Sequence, residues 1–266
     1  MSVINLTVPV SYNDLSRKQL LQISRMFLAG LDRNSFLVRA FCYLAGIKPL
    51  GNRQDGTPLF LYGRQVVPIG LDEFNGFVSS QQYLLDMELT RNRMPVVRVG
   101  WRRFHGPASR CYNLTLKEYL HAENALFSYG MTREFRYIDQ LCAILYRPSG
   151  KGSTLGDPRK SFNEFSSRRR RGLFRMVSRE KRFLVFLFYS GCRLAMTREF
   201  PQLFSGSVTS SQPQSPARDI LQMVRILNNN DITKNETILG SSVWEAFAQL
   251  NDLAARNVKS PKHGNI

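Results

Sequence analysis

Apolar residues return at intervals of three and four along most of this 266-residue chain, in short bursts that glycine, proline or a polar run brings to an end. That period belongs to helices that bury one stripe against their neighbours. Leu20, Ile23, Phe27 and Leu28 form the first stripe, and Phe36, Leu37, Ala40 and Leu44 form the second after Asp32 to Ser35. The pair reads as an αα-hairpin stopped at Gly46, with Pro49 and Gly51 barring continuation. The exception is Pro58 to Pro68 (PLFLYGRQVVP), where two apolar runs flank Gly63-Arg64 and predict a small β-hairpin. From Leu71, residues Phe74, Phe77, Val78, Leu84 and Leu85 predict a helix weakened by Gly76 and the polar Ser79 to Gln82, followed by a loop rich in Arg and Pro.

Thr115 stands three residues before Glu118, the spacing at which each side chain satisfies a backbone N–H of the other, and Leu116, Tyr119, Leu120 and Phe127 then mark one face. Gly130 is expected to end that helix and Thr132 to cap the next, whose stripe is Phe135, Ile138, Leu141, Cys142 and Leu145, closed by Pro148. An apolar helix spans Phe183 to Met196, interrupted by Gly191, with Pro201 near its end. Beyond it, Ser215-Pro216 opens a stripe of Ile220, Leu221, Val224 and Leu227 that Asn228 to Asn230 break. Thr233 with Glu236 and Ser242 with Glu245 repeat the capping spacing, and Val243, Phe247, Leu250 and Ala254 share one side of the last helix. The expected fold is mainly α: a helical body with a small β-hairpin insertion. Residues 1–148 form the N-terminal and central body; 149–204 supply a basic loop and an apolar helix packed on it. A Ser/Pro-rich linker follows over 205–217, then a C-terminal helical segment over 218–257 and a disordered tail over 258–266. Pro148 to Pro158, rich in Gly and Pro, reads as an exposed loop or hinge.

Charge is what sets the composition apart. Thirty-seven Lys and Arg against 20 Asp and Glu leave +17, a balance that favours a polyanionic partner. The excess concentrates between Arg159 and Arg182, and the candidate contacts to DNA or RNA are Arg159, Lys160, Arg168, Arg169, Arg170, Arg171, Arg175, Arg179, Lys181 and Arg182. Guanidinium pairs bidentately with phosphate and phenylalanine stacks on an unpaired base, so Phe162, Phe165 and Phe174 around the tetra-arginine suit a nucleic-acid strand. The plainer reading is a solvated charge run or an anionic protein partner. Arg98, Arg102, Arg103 and Arg110 around Trp101 and Phe104 form a second, smaller patch, an extension of the first if the fold brings them together.

Other chemistry finds little purchase. Gly150-Lys151-Gly152-Ser153-Thr154 misses the phosphate-binding loop pattern, since Leu145 and Gly152 stand where Gly and Ser or Thr are needed. Cys42, Cys111, Cys142 and Cys192 are too scattered for a zinc site and read as buried thiols, so no cofactor is expected. His105, His121 and His263 form no paired ligand or catalytic motif; His121 and Glu118, at i+3 and i on one helix, could face each other, and an exposed polar face explains them equally well. No nucleophile elbow or carboxylate cluster for metal-assisted phosphodiester chemistry appears, so the expectation is no enzyme. The longest apolar run, Phe183 to Tyr189, is too short to span a membrane, and no secretion signal is read at the N-terminus, which points to a cytoplasmic protein.

Several fragments carry a family resemblance: FHGPASRCYNLTLKEYLHAE (Phe104 to Glu123), AILYRP (Ala143 to Pro148), GDPRKSFNE (Gly156 to Glu164), FYSGCR (Phe188 to Arg193) and NDITKNETIL (Asn230 to Leu239). Together they resemble structural and tail-assembly proteins of tailed phages and phage-like particles. The resemblance implies a non-catalytic assembly component with protein partners in a particle, and no catalytic residues to carry over. The SSRRRR run lies outside that pattern and leaves room for a nucleic-acid role, in a particle or as a stand-alone DNA- or RNA-binding protein.

Overall fold

The computed structural model describes residues 6–150, 156–204, 222, 224–228 and 231–259. The chain divides into two units, Met1–Leu89 and Thr90–Ile266. The division falls inside 1–148, which the sequence reading treats as one body. The fold is mainly α, with two small antiparallel sheets.

In the first unit, α1 (Arg17–Leu28) starts at Ser16, whose Oγ accepts the Gln19 N–H at 3.3 Å while Gln19 Oε1 accepts the Ser16 N–H at 2.8 Å. Helix α2 (Arg33–Ala45) begins at Asp32 and ends, as expected, at Gly46, whose φ of 69° is a conformation glycine adopts without strain. The expected hairpin is present as β2 (Pro58–Tyr62) and β3 (Gln65–Pro68), joined through Gly63-Arg64. A third strand that periodicity did not reveal, β1 (Ile47–Asn52), pairs with the other side of β2. Pro49 is tolerated there because β1 is an edge strand whose register slips between Pro49 and Gly51. Helix α3 (Leu71–Ser79) gives way to a 3₁₀ turn at Ser80–Leu85, where the polar run thins the apolar stripe. Phe41, Ile47, Phe60 and Ile69 form the core of this sheet, with Phe74 and Phe77 stacked on Phe60 and Phe41.

The second unit opens with an unexpected β-hairpin, β4 (Val96–Val99) and β5 (Arg102–His105), turned at Gly100-Trp101. Val97, Val99 and Phe104 alternate inward while Arg98, Arg102 and Arg103 alternate outward or flank the turn. The segment expected to be an Arg/Pro-rich loop is therefore partly strand. Helix α4 (Leu116–Thr132) runs past Gly130 and ends at Arg133, which takes φ 57°. Helix α5 (Arg136–Leu145) buries Ile138, Leu141, Cys142 and Leu145 of the expected stripe, while Phe135 precedes it half-buried and Thr132 ends α4 instead of capping α5; α6 (Glu164–Phe174) carries the tetra-arginine, and α7 (Arg179–Glu199) passes through Gly191 without a break. A short α8 (Pro201–Phe204) follows, then α9 (Asn235–Gly240) and α10 (Val243–Lys259).

The C-terminal segment packs on the body of its own unit. The Leu116 N–H donates to Ser241 O at 3.0 Å and the Val243 N–H to Leu114 O at 2.9 Å, and Phe247 meets Tyr119 edge-on at 5.0 Å. The expected linker at 205–217 and the helix opening at Ser215-Pro216 lie outside the described residues, as does most of the expected tail; Val258 and Lys259 belong to α10. The four cysteines are buried and free. Among the described residues no helix is long and apolar enough to cross a membrane.

Charge divides unevenly between the units. Met1–Leu89 holds 8 Lys and Arg against 7 Asp and Glu, whereas Thr90–Ile266 holds 29 against 13, so +16 of the +17 belongs to the second unit.

Candidate nucleic-acid interface

The candidate surface stands on a buried ionic cluster. Thr115 caps α4 by accepting the Glu118 N–H at 3.2 Å, but the Glu118 carboxylate serves a different partner from the one its spacing suggests. It turns into the core, where Oε1 accepts from Arg147 at 2.7 Å and Oε2 lies 3.4 Å from Arg159. Asp157 receives Arg159 in two parallel bonds, at 2.8 and 2.9 Å, and Arg147 at 3.3 Å. Arg159 also donates to the carbonyls of Leu145 at 3.1 Å and Asn113 at 2.8 Å. All four side chains are closed to solvent, and two cations balance two anions. Burial pushes the Glu118 carboxyl above its ordinary range, opposed by both guanidinium groups. The cluster also pins the base of the Pro148 to Pro158 segment, read from sequence as an exposed loop or hinge. The Gly150 N–H donates to Pro158 O at 3.0 Å and the Lys160 N–H to Pro148 O at 2.8 Å.

Arg147 links this cluster to the surface. Its backbone pairs with His105 in both directions, at 2.7 and 3.0 Å, which fixes β5 beside the end of α5. Phe104 packs on Phe174 of α6 with ring centroids 5.4 Å apart. Between hairpin and helix opens a cleft of about 520 Å³, lined by Trp101, Arg102, Arg103, Phe104, Pro148, Arg170 and Leu173. Arg102 and Arg103 of the smaller arginine patch and Arg170 of the larger one, more than sixty positions apart in sequence, line the same cleft.

The lining is polarised. Pro148 and Leu173 contribute apolar surface over the buried Phe104, and Trp101 stands at the hairpin turn 86% exposed, with the Arg102 guanidinium 4.9 Å above its ring. Arg170 is half-buried and donates to Ala143 O at 3.1 Å; its Nε has no partner, and no carboxylate pairs with it among the described residues. Burial and the cation of Arg147 hold its pKa down to about 10, so it remains charged at neutral pH in a place that disfavours charge.

The structure sorts the other candidate residues. Arg159 is fully enclosed in the cluster, and Arg182 is buried, paired with Asp139 and stacked over Phe135 at 4.7 Å, so these two are spent on the scaffold and present no cation to a partner. Lys160, Arg168, Arg169, Arg175 and Arg179 are exposed, and Arg171 and Lys181 are half-buried. Arg168 pairs with Glu164 one turn away at 2.5 Å, and Arg179 lies over the Phe135 ring at 4.9 Å. Of the smaller patch, Arg98 is exposed on β4, whereas Arg110 faces Glu199 at 3.2 Å and the rings of Tyr112 and Trp244. His121 does not face Glu118. It lies 3.9 Å from Glu164 and packs on Phe162, and burial pushes its pKa down.

No protein-family model, curated protein or solved structure matches the chain.

Proposed function

We propose that this is a non-catalytic nucleic-acid-binding component, of the particle-assembly kind its sequence resembles, with its contact surface on the β4–β5 hairpin and α6. The observation that carries the reading is the meeting of Arg102, Arg103 and Arg170 with an open indole in one cleft, beside the exposed arginines of α6. Phosphate needs cations free to approach it, and exposed guanidinium groups on a unit of net +16 supply them. The buried carboxylates support a non-catalytic role, because each is engaged by arginine: Glu118 and Asp157 by Arg147 and Arg159, Asp139 by Arg182, and Glu123 by Arg193 at 2.8 Å.

Retention of a labelled DNA or RNA oligonucleotide, measured across a salt series, tests the reading. Affinity is expected to fall linearly with salt on logarithmic axes, and replacing Arg168, Arg169 and Arg171 with Ser is expected to reduce the slope by roughly 0.7 to 0.9 for each phosphate no longer neutralised. Failure to retain either nucleic acid at low salt overturns the proposal. The assembly role predicts, in addition, a stoichiometric protein complex that persists in high salt; recovery from the native source as a monomer overturns that part and leaves a stand-alone binding protein.

A further inference from the structure

Resting on the nucleic-acid reading, we infer that the cleft selects single strands: it takes one unpaired nucleotide, its base on the free face of Trp101 and its phosphate among Arg170, Arg102 and Arg103. Trp101 is the largest apolar side chain left so open, at a hairpin turn where the neighbouring positions are arginine. Arg102 covers one face of the indole, which leaves the opposite face for a planar ligand. An unpaired base offers a π-face at every position of a strand, whereas bases inside a duplex are stacked on both sides and only its two terminal pairs expose one.

The position of Arg170 gives the second argument. Its guanidinium is half-buried in the cleft wall, held by one carbonyl and with no carboxylate partner among the described residues, so a phosphate that reaches it must leave the plane of the outer surface. A strand bent into the cleft meets this condition. A duplex presents its phosphates on a convex cylinder, which suits the exposed arginines of α6 but not the half-buried Arg170 or the apolar lining of Pro148 and Leu173. The volume, about 520 Å³, lies within the range of pockets that enclose a small ligand.

The test compares the full chain against a labelled oligothymidylate and a blunt duplex of equal length, at one salt concentration, with thymidine monophosphate as competitor. The wild type is expected to prefer the single strand. Trp101→Ala is expected to weaken single-strand binding by about 5- to 100-fold and to collapse the preference toward unity, while Trp101→Phe restores most of it. Arg170→Gln is expected to lower the single-strand salt slope by roughly 0.7; if its melting temperature drops, Arg103→Gln on the exposed rim provides the same reading. Equal affinity for strand and duplex, insensitive to Trp101→Ala, overturns this inference and leaves the broader nucleic-acid reading standing. Binding of neither overturns both, and competition by the mononucleotide as strong as by the oligomer overturns the strand in favour of a free nucleotide.

Discussion

Arg147 does two jobs, of which only the first needs an arginine side chain. Its side chain neutralises Glu118 and Asp157 in the interior while its backbone holds His105 and thereby the hairpin. Arg147→Met leaves two buried carboxylates with one arginine, and removing one partner of such a cluster typically costs about 3 to 5 kcal/mol; denaturant unfolding should report a loss of that order. Gly106 is the other residue on which the hairpin depends. A Cβ there would stand 2.6 Å from the ring of Tyr146, which is fully buried and donates to Met94 O at 2.8 Å. Gly106→Ala is therefore expected to lower stability by about 1 to 3 kcal/mol, the usual cost of overpacking a core, seen as a lower melting temperature. These roles were hidden in the sequence. The Thr115-to-Glu118 spacing correctly marks a helix start, yet the arginines that claim the Glu118 side chain lie far along the chain, and nothing in composition separates an enclosed Arg159 from an exposed Arg169.

At the scale of elements, α1, α2, α4, α5 and α7 were legible because each has a long apolar stripe and a recognisable stop or cap. The β4–β5 hairpin was not, because its outward positions are arginines and its inward alternation covers only a few residues before Gly100 interrupts it. Strand β1 was hidden by Pro49 and Gly51, residues that an edge strand with a slipped register accepts. The contact between α4 and α6 carries a pH signature. His121, between Phe162 and Glu164, has its pKa lowered by burial, opposed by Glu164 and reinforced by Lys117 and Arg168. The folded protein therefore binds that proton less readily than the unfolded chain, so stability should decline as pH falls below the ordinary histidine value of about 6.5 and level off below the lowered folded value. Thermal melts between pH 7.5 and 5 should show this decline, and His121→Gln should remove the part that histidine contributes.

For the whole molecule, the segregation of charge matters more than its total. A near-neutral unit and a strongly cationic one share the chain, and every residue of the cleft belongs to the second. A fragment of residues 90–266 is expected to melt cooperatively and to bind oligonucleotides with the salt slope of the full chain, as measured by circular dichroism and fluorescence anisotropy. The sequence located nearly half of that charge, between Arg159 and Arg182, but not its division, since the boundary at Leu89 and Thr90 is set by tertiary packing and leaves no Gly/Pro-rich mark. The neutral cluster of Glu118, Arg147, Asp157 and Arg159 has a practical corollary. Dissolved ions screen charges in contact with solvent far more than charges sealed from it. Concentrated salt should thus wash a bound strand from the rim while the framework beneath keeps its shape, so that dilution restores a receptive surface and the molecule can be emptied and refilled repeatedly without passing through an unfolded form.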